Sequence, residues 1–257
     1  MVRLDLEKII IGYNKNTMFI NIDKKLQMCL LQKIPMQLTL KDIHTQLETI
    51  QFDIFYQSTG GLYNKSREME NAKLIPFNFL YYYLFITEQK IPTPQKMVCE
   101  YVYCFCEESA PQSHQYVLKD EYIKLGYGNK LSFSIETLAG RICRAYNSFN
   151  REVELAFRLM QEDNLSVRYS FKEDYFNGID LGVVYNNTIC GIAYYQNNPR
   201  TEAFKVLKET TRRNNYDESK MISMKIDKDN HKTCGDIWLF SDKEYQKLLQ
   251  QIYIKGK

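Results

Sequence analysis

The chain has 257 residues, 44% of them hydrophobic and 25% charged, which is enough apolar content to bury a core in one large domain or two small ones. Its 34 basic and 31 acidic residues leave a net charge of +3, which excludes a global electrostatic field as the means of holding nucleic acid. No window of about 18 uninterrupted apolar residues occurs, and the opening MVRLDLEK lacks the apolar core of a secretory signal, so a soluble, cytoplasmic protein is expected. The seven cysteines are odd in number and form no CxxC pair, which suits reduced, mostly buried thiols. Only His231 with Cys234 has the spacing of a metal-ligand pair, and it lacks a second half-site.

The first half opens with a strand-like run, KIIIGYNKNTMFINI, and continues with helical stretches, LKDIHTQLETIQFDIF and FNFLYYYLFITEQ. Pro92 and Pro94 then punctuate the chain before the apolar run MVCEYVYCFCEE. From Leu131 the pattern sharpens. FSIETLAGRICRAYNSF predicts a helix capped by Ser134, and Asn147 or Asn150 is placed to cap a second one, REVELAFRLMQED. Two short strands follow in FNGIDLGVVYNNTICGIAYYQ, turning at Asn186 and Asn187, and Thr201 is placed to cap a helix over TEAFKVLKETTRR. The strands MISMKI and DIWLF flank the charged loop DKDNHKTCG, and SDKE, from Ser241 to Glu244, has the form of a capping box opening a last helix. The expected fold class is α/β or α+β. A mixed central sheet flanked by helices forms the C-terminal half, behind a mainly helical N-terminal part.

Two carboxylates interrupt apolar surfaces. On a helical wheel Glu152 falls inside the arc of Val153, Leu155, Ala156, Phe157, Leu159 and Met160, whereas Glu154 falls on the polar side. Burying a carboxylate is costly unless a cation or donors compensate it, so Glu152 is either a functional acid or a first-turn acid favoured by the helix dipole. Asp180 alternates with Ile179, Leu181, Val183 and Tyr185 in a strand, and Gly178 and Gly182 leave open space on either side of it. It is either a ligand for something that approaches closely or a polar group at an exposed strand end.

An inward Glu on a helix, a strand with Asp, its hairpin partner and a basic helix, together spanning roughly 148–213, resemble the PD-(D/E)XK nuclease superfamily. The resemblance implies a restriction-endonuclease-like domain over 131–257, preceded by a helical recognition or partner region over 1–130. It implies that Glu152 and Asp180 bind Mg²⁺, with Mn²⁺ able to substitute. The superfamily's next strand carries (D/E)xK, but ICGIAYYQNNP has no acid and no lysine. Tyr194 and Gln196 are the candidates there. A three-residue turn puts Asp180 opposite Tyr194 with Gln196 on their face, whereas a two-residue turn puts Ala193 opposite. As in members that move the lysine onto the following helix, Lys205 and Lys208 are i,i+3 neighbours.

The activity so implied is metal-dependent hydrolysis of phosphodiester bonds in DNA, with Glu152, Asp180, Gln196, Lys205 and Lys208 as catalytic candidates. Arg144, Arg151, Arg200, Arg212 and Arg213, within a local excess of basic residues, are candidates for phosphate contacts. RNA is an open alternative partner, as is a protein partner or a second copy of the chain. The missing acid and lysine favour a different reading, a catalytically inactive nuclease-fold subunit for DNA binding or assembly. A third reading makes the aromatic stretches YYYLF and YVYCF a protein-binding surface without nucleic acid; such aromatics are more often core.

Overall fold

The computed structural model describes residues 37–52, 77–106, 116–119, 122–125, 132–169, 174, 178–196, 220–226 and 231–256. The expected opening strand and the expected basic helix after Thr201 lie outside these residues. The chain divides into two compact units, one drawn from Thr49–Phe149 and the other from Ile20–Glu48 and Asn150–Lys257 in their described parts. The sequence suggests a division at 130/131. The observed one falls at 149/150, inside a continuous helix.

The first unit contains helices α2 (Phe77–Glu88) and α3 (Pro94–Cys106); α1 (Leu40–Glu48) belongs to the second. Helix α2 ends where Gln89 turns to a φ of 51° and returns its amide Nε2 to the Ile86 carbonyl. Helix α3 begins with proline at its first helical position, and Thr93 before it accepts the Lys96 N–H on its hydroxyl at 3.2 Å. An antiparallel meander follows, β1 (Tyr116–Lys119), β2 (Tyr122–Leu125) and β3 (Ser132–Ser134). The core of this unit is aromatic. Tyr81 packs on Phe85, Tyr82, Tyr146 and Phe149, and Phe52 stacks on Tyr146, whose hydroxyl donates to the Pro92 carbonyl at 2.7 Å. In YYYLF, Tyr81, Tyr82, Leu84 and Phe85 are all buried, so they form the core of this unit and not a partner surface.

Helix α4 (Ile135–Leu159) runs unbroken where two helices were expected. Leu138, Ile142, Tyr146, Phe149, Val153 and Ala156 continue one apolar stripe through the asparagines, and Asn150 is itself fully buried. Packing of that stripe overrides the local capping preference. Within the second unit this helix is buried all round. Glu154, placed on a polar face by the wheel, has no exposed surface, because α1 covers that side.

The second unit holds a four-stranded sheet in the order β4 (Ser166–Arg168), β5 (Leu181–Tyr185), β6 (Thr188–Gln196) and β7 (Met221–Ile226). The first three strands are antiparallel, and β7 runs parallel to β6, giving the expected mixed sheet. A hairpin, β8 (Lys232–Cys234) and β9 (Ile237–Leu239), precedes α5 (Asp242–Lys255), which packs on the sheet. The expected capping box is present: Ser241 accepts the Glu244 N–H, and the Glu244 carboxylate accepts the Ser241 N–H at 2.8 Å.

Candidate active site

Tyr185 pairs with Thr188, so the turn is the two-residue Asn186–Asn187, with φ of 47° and 63° as a type I′ hairpin requires. Leu181 faces Ile192, where the regular pairing ends. The three-residue turn expected to bring Tyr194 and Gln196 onto the face of Asp180 is not formed. Gln196 lies in β6 beside Ile226 of β7, while the Tyr194 ring meets Phe240 edge-on at 5.4 Å.

Asp180 does meet Tyr194, through the main chain. Its N–H donates to the Ile192 carbonyl at 2.8 Å, and its Oδ2 accepts the Tyr194 N–H at 2.8 Å. Leu181 also pairs with Ile192, so the ladder slips by one residue at Asp180, and the side chain supplies the acceptor that the main chain no longer offers. Gly178, with a φ of 64°, bends the chain into this position. The burial alternates from Ile179 to Val184, with Ile179, Leu181 and Val183 inside and Asp180, Gly182 and Val184 half-exposed.

The fully buried Tyr169, one residue past β4, joins the two candidate acids electrostatically. Burial pushes its phenol well above the ordinary tyrosine value, and the charges of Asp174, Glu152 and Asp180 push it further. The phenol donates to Asp174 Oδ2 at 3.2 Å. Glu152 comes from the buried part of α4, with 4% of its surface exposed, and Asp180 from the entry to β5. Tyr169 and Asp174 carried no signal in the sequence, since β4 is only three residues long and neither shows a motif.

Arg151 is corrected as a phosphate contact. It is 3% exposed, its Nε donates to the Trp238 carbonyl at 2.9 Å, and burial lowers its pKa to about 10 against the opposing charges of Glu152 and Glu244. A guanidinium enclosed in the unit and bonded to main chain is not presented to a nucleic acid. Arg144 is half-buried in the first unit. Lys205, Lys208, Arg200, Arg212 and Arg213 lie outside the described residues.

A second cluster surrounds Glu154. His44 Nε2 and Glu154 Oε1 are 3.0 Å apart, and Arg158 Nε lies 4.0 Å from the same oxygen. Burial raises the Glu154 carboxyl above its usual range, opposed by His44, Arg158 and Lys232, and its Oε2 is enclosed without a hydrogen-bond partner. Arg158 also donates to the Phe240 carbonyl and to Asp242, and covers the Tyr245 ring at 4.0 Å. The cluster ties α1, α4 and the start of α5 together. The Cys234 thiol donates to the His44 carbonyl and His231 stacks on Trp238, so neither is committed to the other as a metal pair.

Among the described residues no three His, Cys, Asp or Glu side chains stand close enough together to hold a metal ion, and no helix is long and apolar enough to cross a membrane. No family model, curated protein or solved structure matches the chain.

Proposed function

We propose that the chain is a nuclease-like protein of the cytoplasm that hydrolyses phosphodiester bonds in DNA. The observation that carries this reading is the joint action of Glu152 and Asp180 on the Tyr169 phenol: two acids distant in sequence, one on a buried helix and one at a strand entry, are held near a single buried group. The order of elements also supports it, with the inward acid on α4, the acid before β5 and the antiparallel hairpin partner β6.

The donors are carboxylate oxygens, which suit a hard cation, and Mg²⁺ takes one or two carboxylates and completes its shell with water. Glu152 and Asp180 therefore fit Mg²⁺, with Mn²⁺ as a substitute. A bound ion would supply Lewis acidity toward a phosphate and lower the pKa of a water. The chain's own contribution is to fix the acids, Glu152 by enclosure within its unit and Asp180 by the Tyr194 N–H. Lys205 and Lys208 are assigned to orienting the attacking water and neutralising charge, and Arg144, Arg200, Arg212 and Arg213 to holding the DNA backbone.

A second reading, a nuclease-fold DNA-binding or assembly subunit without catalysis, is favoured by two observations. Asp180 has a structural task in the ladder, and β6 brings neither acid nor lysine. Incubation of the protein with single- and double-stranded DNA in Mg²⁺, Mn²⁺ or EDTA, with Asp180→Asn alongside, separates the two. EDTA-sensitive cleavage that the variant lacks is the expected result. Salt-sensitive binding without cleavage replaces the catalytic reading with the second one.

A further inference from the structure

We draw no further inference here: the strongest candidate, the side-chain cluster of His44, Glu154 and Arg158 where α1 meets α4, encloses the unpartnered Glu154 Oε2, but its contacts already serve to join these helices to α5 and nothing in the structure shows what ligand that oxygen would take.

Discussion

The carboxylate of Asp180 accepts the main-chain N–H of Tyr194 at 2.8 Å, at the point where the β5–β6 ladder slips by one residue. This bond separates the structural role of Asp180 from any catalytic one. An asparagine keeps an oxygen acceptor at the same place and removes the charge, whereas alanine leaves the N–H without its partner. Asp180→Asn should melt within a few degrees of wild type. Asp180→Ala should lose about 1–2 kcal/mol, read by urea unfolding. Equal stability of the two variants would mean that the hydrogen bond does not hold the strand entry.

Glu154 presents the opposite balance, a buried acid whose task is to join elements. Its replacement by alanine removes the partner of His44 and one partner of Arg158, and should cost about 2 kcal/mol, below the usual range for a buried pair because His44 is partly exposed. In a double-mutant cycle with His44→Ala the two losses should fall short of additivity by about 1 kcal/mol. Strict additivity would show that the 3.0 Å contact contributes nothing of its own.

Gly235 has a φ of 56°, and a Cβ on it would approach the Leu47 carbonyl oxygen to 2.9 Å. Alanine there carries both backbone strain and a collision with α1, whose backbone cannot swing away as a side-chain tip can. Gly235→Ala should therefore destabilise by about 2 kcal/mol. A thermal melt that matches wild type would mean that α1 yields at this contact.

Cys99 is exposed, whereas Cys143, Cys190 and Cys234 are buried. Burial pushes the Cys143 thiol up to about 12 and raises those of Cys190 and Cys234 as well. Only thiolate reacts with alkylating agents, so a raised pKa lowers reactivity at any pH beneath it. Among these four, iodoacetamide at pH 8 should label Cys99 in the native protein and the others only after unfolding. Raising the pH to 9 should leave Cys143 unlabelled, since it stays protonated there, and peptide mapping reads the result site by site. Native labelling of Cys143 would contradict its burial.

Features governed by neighbours in the chain were legible from the sequence. The Asn186–Asn187 turn, the capping box at Ser241 and Glu244, the strand MISMKI and the helix over FNFLYYYLFITE all appear where local chemistry puts them, because positive φ, cap hydrogen bonds and apolar periodicity act over a few residues. The alternation that sets Asp180 outward was equally local, and so was the inward position of Glu152. Only the tertiary structure decided the rest. Asn150 was a suitable cap, yet packing along α4 carried the helix straight through it. Glu154 lay on a polar stripe until α1 covered it, and Arg151 was one basic residue among many until enclosure bonded it to the Trp238 carbonyl. Tyr169 and Asp174 gained meaning only from burial and the contact between them. Pattern and propensity report which face of an element is apolar. What covers that face, and which distant charge it meets there, depends on long-range contacts that the spacing of residues does not encode.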